Sequence, residues 1–113
     1  MCIVSNIDAK EHELKGKATY YGNNYKTKRR TANGEYFDKN AYTAAHKTLP
    51  FGTVVKVTNT NNGKYVYVTI TDRGPFANGR VIDVTPIAAV DLDMVKSGVV
   101  PCDMEIISIP NAD

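Results

Sequence analysis

Short runs of β-branched and aromatic residues, separated by closely spaced turn residues, constrain this fold more than any other feature of the sequence. The clearest pair covers residues 54–59 and 65–71 and flanks the turn residues Asn61-Asn62-Gly63. Val, Ile, Thr and Tyr favour strands, and an Asn-Gly pair between two such runs is a strong hairpin signal. The sequence therefore predicts a β-hairpin over residues 54–71.

Three further runs predict short strands, at residues 18–21, 81–84 and 104–109. The stretch 41–49 is mixed in composition and carries no clear strand or helix pattern. Five or six short strands with turn residues between them favour a small β-barrel. A parallel α/β sheet would need a helix after each strand, and the sequence does not provide those helices.

One short helix is predicted directly after the strand at 81–84. Thr85 suits the N-cap and Pro86 suits the first helical turn, so we expect a helix that continues to about Leu92 or Met94. Its apolar face would consist of Ile87, Ala88, Val90 and Met94. Packing against the core is a sufficient role for that face.

The composition indicates one soluble globular domain. The chain has 113 residues, of which 42% are hydrophobic and 23% charged. The segment 1–15 is polar and reads as a flexible leader or linker, so the domain is predicted over 16–110. No apolar run is long enough for a transmembrane helix. Two His and two Cys are too few for a zinc finger or a disulfide-rich scaffold, and no metal or cofactor is expected.

The charge pattern argues against a nucleic-acid partner. The net charge is only +2, which is weak for a protein that binds a polyanion. A basic cluster at 26–30, near Tyr20, Tyr21 and Tyr25, only weakly resembles the basic stripe with interleaved aromatic residues that nucleic-acid binding would need. A solvated surface loop over residues 23–30 explains it better.

The two cysteines leave alternatives open. Cys2 lies where a mature bacterial lipoprotein carries its lipid, but it could also be a free thiol on a terminal tail. A disulfide between Cys2 and Cys102 would close a very long loop and require an oxidising compartment. Cys102 has no catalytic partner nearby in the sequence and reads as a small apolar packing residue.

Three polar residues stand out by their context. Glu35 follows an Asn-Gly turn, His46 interrupts the mixed stretch 41–49, and Asp72 ends the long strand before Arg73-Gly74-Pro75. Each also has an ordinary structural explanation: a solvated turn residue, a histidine at the edge of the core, and a carboxylate that bonds turn amides. The residues alone therefore indicate a small soluble β-domain with a candidate carboxylate site.

Four segments carry a resemblance to a known family. They read TANGE (31–35), TAAHKTLPFGT (43–53), DRGPF (72–76) and GRVID (79–83). In this order they resemble the rare lipoprotein A family, over about residues 16–109. The resemblance implies a six-stranded double-psi β-barrel with one or two short helices. It also implies a location in the bacterial cell envelope, either the periplasm or the outer membrane, or secretion, and it makes lipid attachment at Cys2 more plausible.

The resemblance also implies an activity. Family members are lytic transglycosylases that cleave the MurNAc–GlcNAc β-1,4 bond of peptidoglycan, preferably on strands without stem peptides. The family's active-site residues align with Glu35, His46 and Asp72. Asp72 would act first as acid and then as base, so that the muramoyl C6 hydroxyl closes a 1,6-anhydro ring. His46 would be a neutral hydrogen-bonding partner, and Glu35 would orient the hydroxyl or steady the cationic transition state.

Substrate contacts are predicted at four residues. Lys47, Arg73, Tyr20 and Tyr21 would line a sugar groove, with the tyrosines stacking on sugar faces. Arg73 has the alternative role of a structural donor to the turn, and Asp83 is expected to be structural. The chain is expected to be a monomer. Some members lack cleavage activity, so a glycan-binding module and a cell-envelope scaffold are the competing functions.

Overall fold

The computed structural model describes residues 14–21, 31–36 and 38–110, and these form a closed barrel with one short helix. The elements are β1 (Lys15–Tyr20), β2 (Thr43–Ala45), β3 (Val54–Asn59), β4 (Tyr65–Asp72), β5 (Arg80–Val84), α1 (Pro86–Asp91) and β6 (Val100–Ser108). Around the barrel the strands follow the order β1-β5-β2-β4-β3-β6. The predicted six-stranded barrel is therefore confirmed.

Strand direction decides which residues meet at one end of the barrel. Neighbours β1 and β5 are parallel, as are β2 and β4, whereas the remaining neighbours are antiparallel. Because β2 and β4 run the same way, their last residues lie side by side, with Ala45 opposite Asp72. The residue that follows β2, His46, is thereby brought next to the end of β4.

The predicted hairpin is confirmed as β3 and β4. These strands pair antiparallel from Val54–Thr69 to Thr58–Tyr65, and the Asn59 amide donates to the Lys64 carbonyl at 2.8 Å across the turn. Alternate residues point into the barrel, where they join one continuous core. Its buried members on the hairpin are Val55, Val57, Val66, Val68 and Ile70.

Two strand predictions were incomplete. The segment Thr43–Ala45 forms β2 within the stretch 41–49. Its partners in the barrel, β4 and β5, are distant in sequence, so no local pattern indicates this strand. Strand β6 begins at Val100, four residues before the predicted start at 104. Pro101 and Asp103 suggest a break, but both side chains point outward while Val100 and Cys102 point into the core.

Helix α1 begins at Pro86 as predicted, and Thr85 is its N-cap. The Thr85 hydroxyl does not cap the helix, however, but donates to the Ala41 carbonyl at 2.6 Å. It thus ties the helix to the segment before β2. Val90 was wrongly assigned to the apolar face, since it is 62% exposed, whereas Ala88 and Ala89 are buried.

The predicted domain limits differ slightly from the observed strands. β1 begins at Lys15, inside the predicted leader over 1–15. The rest of that leader, including Cys2, and the predicted loop at 23–30 lie outside the described residues. Among the helices that the structure describes, none has the length and apolar character needed to span a bilayer.

Cys102 is a free thiol on β6 and only 2% exposed. Burial, assisted by the negative charge of Asp103, raises the pKa of Cys102 to about 12. This agrees with the predicted packing role, because a thiol that stays protonated is a poor nucleophile. The alternative disulfide partner, Cys2, is outside the described residues.

Because the Cys102 pKa is raised, the free energy of unfolding depends on pH in the alkaline range. The unfolded thiol ionises near pH 9.0, whereas the folded thiol keeps its proton until about pH 12. Stability is therefore complete below pH 9.0 and falls as the pH rises through this window, by at most about 1.4 kcal/mol per pH unit. Urea unfolding as a function of pH measures this loss, and a Cys102→Ala chain should lack it. Equal pH dependence in both chains contradicts the prediction.

Candidate active site

Asp72 is the last residue of β4 and faces the interior at one end of the barrel. Residues 66, 68 and 70 of β4 alternate into the core, and Asp72 continues this series with 5% of its surface exposed. A carboxyl group is seldom buried to this degree unless donors satisfy it. The neighbouring segments supply those donors.

The two oxygens of the Asp72 carboxyl group have different partners. Oδ1 accepts the backbone N–H of Ala32 at 2.9 Å and that of Arg73 at 2.9 Å. Oδ2 accepts the hydroxyl of Tyr21 at 3.2 Å. A proton on Oδ1 would face two N–H donors, so Oδ2 is the oxygen that can carry a proton.

The loop at 31–36 closes over the end of β4 and carries Glu35. Its Asn33 amide donates to the Thr71 carbonyl at 3.1 Å, and the Thr31 amide donates to the Glu35 carbonyl at 2.7 Å. The Glu35 carboxylate is exposed and accepts the Asn33 side-chain amide at 3.0 Å. The Asn-Gly turn predicted here thus exists, and it places Glu35 and the Ala32 amide on the same loop.

An open cleft of about 440 Å³ lies beside this loop. Its lining consists of Thr31, Glu35, Tyr36, Asp38, Ala41, Thr43 and Thr71. Hydroxyls, carboxylates and an exposed tyrosine are groups that can bind sugar hydroxyls and sugar faces. Of the three predicted catalytic residues, Glu35 lines the cleft, whereas Asp72 and His46 lie at the same end of the barrel but outside that lining.

His46 follows β2 and is 1% exposed. Its backbone N–H donates to the Asp72 carbonyl at 3.2 Å. Its ring atom Nδ1 accepts the amides of Thr48 at 3.1 Å and Leu49 at 3.2 Å. A nitrogen that accepts two N–H groups carries no proton, so the imidazole is neutral with its proton on Nε2. This geometry supports the expected neutral His46.

Arg73 fastens the turn that follows His46. Its Nη1 donates to the carbonyls of His46 at 3.2 Å and Leu49 at 2.8 Å. The guanidinium carbon lies 4.1 Å from the centre of the Phe51 ring, an arrangement typical of a cation–π contact. These contacts favour the structural alternative for Arg73 over the predicted role in substrate binding.

The other predicted substrate contacts have separate outcomes. Tyr21 is 4% exposed and packs against Ala45, so its ring has no free face for a sugar to stack on. Tyr20 is half-buried and donates its hydroxyl to the Val95 carbonyl at 3.0 Å. Stacking on either ring is therefore not supported. Lys47 is half-buried next to His46, and its role in substrate binding stays a prediction.

The sequence analysis did not find the Ala32 amide, because a backbone donor has no sequence signal. It also did not find the threonines that line the cleft. Asp83 behaves as expected for a structural residue, since its Oδ1 accepts the Thr19 hydroxyl at 3.1 Å. Among the residues that the structure describes, no three His, Cys, Asp or Glu side chains come together in a way that could hold a metal ion.

Comparison with known proteins places this site in a family. The family model described as "Lytic transglycolase" matches residues 13–104. The chain belongs to this family. The probable endolytic peptidoglycan transglycosylase RlpA of Treponema pallidum is 61% identical over 84 residues, which are 74% of this chain and 26% of that protein. The corresponding protein of Campylobacter jejuni is 47% identical over 98 residues, 87% of this chain and 35% of that protein.

The resemblance to the rare lipoprotein A family is thereby confirmed. The chain spans about a quarter to a third of the length of these two curated relatives. What it shares with the lytic transglycolase family is therefore the barrel domain. Lipid attachment at Cys2 stays a prediction.

Solved structures show the same fold at low identity. The Streptomyces papain inhibitor matches with a TM-score of 0.66 and 23% identity, over 86% of this chain and 99% of the inhibitor. A Clavibacter michiganensis expansin in complex with cellohexaose matches with a TM-score of 0.67 and 17% identity, over 88% of this chain and 52% of the expansin. These likenesses concern the fold alone, and they confirm the double-psi β-barrel.

Replacing Arg73 by lysine is expected to lower the free energy of unfolding by about 2 kcal/mol, because the planar guanidinium that bonds two carbonyls and contacts the Phe51 ring is lost. Lysine keeps the charge but not the planar group that reaches both carbonyls. Urea unfolding measures the effect. The matched control is Arg80→Lys, at an exposed arginine of β5, with an expected change below about 0.5 kcal/mol. Equal effects of the two substitutions would contradict the conclusion that Arg73 stabilises the turn after His46.

Proposed function

We propose that this domain is a peptidoglycan lytic transglycosylase that cleaves the MurNAc–GlcNAc β-1,4 bond and leaves a 1,6-anhydro end. The observation that carries the proposal is the Asp72 carboxyl group, with Oδ1 held by two amides and Oδ2 accepting the Tyr21 hydroxyl. Membership in the lytic transglycolase family and the similarity to two RlpA peptidoglycan transglycosylases support it.

One carboxyl group is enough for this reaction. Asp72 Oδ2 delivers its proton to the glycosidic oxygen as the bond from C1 to that oxygen breaks and positive charge develops at C1. The C6 hydroxyl of the same muramoyl residue then bonds to C1, and its proton returns to Oδ2. Every proton is accounted for, and no water is consumed.

Glu35 and His46 have supporting roles in this scheme. Glu35 is the exposed carboxylate on the loop that also supplies the Ala32 amide to Asp72. Its negative charge would stabilise the cationic transition state or orient the C6 hydroxyl. His46 holds the turn after β2, because its Nδ1 accepts the amides of Thr48 and Leu49.

Glycan strands without stem peptides are the proposed substrate. The cleft beside the 31–36 loop has threonine hydroxyls for sugar hydroxyls and the exposed Tyr36 for a sugar face. Two carboxylates, Glu35 and Asp38, and no basic residue are among its described lining. These groups can contact the sugar rings and hydroxyls that a bare glycan strand presents. Lys47, beside His46, is the predicted cationic contact.

The domain would work in the bacterial cell envelope, because that is where peptidoglycan lies. We propose the periplasmic space as its location, with an outer-membrane anchor through a lipid on Cys2. The domain is proposed to act as a monomer, since one barrel contains all three candidate catalytic residues.

Glycan binding without cleavage is a second candidate function. The observation that favours it is the low exposure of Asp72, 5%, and its position outside the lining of the cleft. A sugar could occupy the cleft beside Glu35 without bringing a glycosidic oxygen within hydrogen-bond reach of Oδ2. General acid catalysis requires that reach, either directly or through one water.

Digestion of purified glycan strands separates the candidates. The chain is incubated with peptide-free strands and, in parallel, with intact peptidoglycan, and the new ends are identified by mass spectrometry. Anhydro ends are lighter than hydrolytic ends by one water, and their formation mainly from the peptide-free strands supports the proposal. Strand binding without new ends favours the second function, and hydrolytic ends overturn the reaction type. If the chain neither binds nor cleaves the strands, both candidates are contradicted and a cell-envelope scaffold is the remaining function.

A further inference from the structure

The Tyr21 hydroxyl donates a hydrogen bond to the Asp72 carboxyl group, whereas the sequence predicts that its ring stacks on a sugar. Tyr21 follows β1, and its backbone N–H donates to the Val84 carbonyl of β5 at 3.0 Å. Its ring is 4% exposed and packs against Ala45 of β2. A tyrosine held by two strands and kept from solvent has little freedom to move its hydroxyl.

The hydroxyl lies on the reactive side of the carboxyl group. It is 3.2 Å from Oδ2, whereas the amides of Ala32 and Arg73 occupy Oδ1. Together the three donors define the carboxyl plane. The Tyr21 hydroxyl can remain a donor to Oδ2 while a second direction of that oxygen holds or releases a proton.

We propose that Tyr21 is a positioning residue that orients Oδ2 of Asp72 and stabilises the carboxylate formed when its proton passes to the glycosidic oxygen. This inference rests on the proposed transglycosylase function. The proton leaves Oδ2 for the glycosidic oxygen, the Tyr21 O–H bond stays intact, and its hydrogen bond to Oδ2 strengthens as negative charge appears. The C6 hydroxyl later returns a proton to the same oxygen.

Tyr21→Phe tests the role because it removes the hydroxyl and keeps the ring. We expect kcat to fall roughly 10- to 100-fold with little change in KM. The lost hydrogen bond matters most when Oδ2 becomes charged in the transition state, so its removal slows the chemical step more than it weakens substrate binding. The alkaline limb of the pH–rate profile should move to higher pH, because the carboxylate loses a donor. The other ionisable groups around Asp72, namely Glu35, His46 and Arg73, are unchanged in the variant.

Tyr42→Phe is the matched control. Tyr42 also donates to an aspartate, Asp91 Oδ2 at 2.8 Å, but on the surface outside the site. It should leave kcat and the pH profile unchanged. In an Asp72→Asn background, Tyr21→Phe should cause no further loss of rate, because the group that it positions can no longer transfer a proton. Thermal unfolding of each variant shows whether the fold is retained.

A readout that does not need activity separates this inference from the proposed function. The carboxyl carbon of Asp72 is followed by NMR as the pH is varied, in the wild-type chain and in Tyr21→Phe. We expect the midpoint to lie at higher pH in Tyr21→Phe. Equal midpoints overturn the inference even where anhydro ends are formed. Absence of anhydro ends from the wild-type chain overturns the transglycosylase proposal, while the titration still decides whether Tyr21 controls the carboxyl group.

Discussion

Replacing Asp72 by asparagine is expected to lower the rate of anhydro-end formation by roughly 10²- to 10⁴-fold, the range that a positioned acid–base group contributes. The asparagine Oδ1 can still accept the amides of Ala32 and Arg73, which hold Oδ1 of Asp72 at 2.9 Å each. The side-chain amide has no proton to give at neutral pH. The variant should therefore keep its fold and its affinity for glycan while losing the chemical step.

The measurement compares initial rates of anhydro-end formation on peptide-free strands, together with strand binding and thermal unfolding. Asp91→Asn removes the same charge at an exposed position on α1 and should retain full activity. If Asp72→Asn kept more than about a tenth of the wild-type rate, another group would have to supply the proton. If binding were lost together with the rate, Asp72 would belong to substrate binding instead.

Replacing Gly16 by alanine should destabilise the barrel by about 3 kcal/mol, the largest loss expected from adding one methyl group. A Cβ on Gly16 would lie 2.7 Å from Val81 Cγ1 and 2.9 Å from the Gly79 carbonyl oxygen. That oxygen cannot retreat freely, because it accepts the Lys17 amide at 2.9 Å. β1 must approach the start of β5 this closely for the barrel to close, so the added methyl would disrupt the pairing itself.

Urea unfolding measures the loss, and Gly63→Ala is the matched control. Gly63 has a φ of +78° in the β3–β4 turn, and a Cβ there would meet no atom within 4 Å. The control should cost about 1 kcal/mol, the price of a left-handed conformation without a clash. Equal losses at the two glycines would show that backbone conformation, and not the contact with β5, limits the replacement of Gly16.

The site was only partly predictable from its residues. Asp72 at a strand end and Glu35 after an Asn-Gly turn could be singled out, but their roles came from the family resemblance. The contacts of Tyr21 and Arg73 were not predictable, because both depend on segments far away in the sequence. Stacking on a sugar is the ordinary expectation for a tyrosine in a predicted sugar groove, and the low exposure of Tyr21, 4%, argues against it.

Local sequence was enough to predict the β3–β4 hairpin, the start of α1 and the turn at Asn33-Gly34, because each depends on neighbours along the chain. The folded barrel was needed to show that Thr43–Ala45 is a strand and that Oδ1 of Asp72 is held by an amide forty residues away. The physical reason is that parallel pairing and barrel closure join segments that carry no local signal of one another. The free energy that places these groups comes from the shared core, and no single segment contains it.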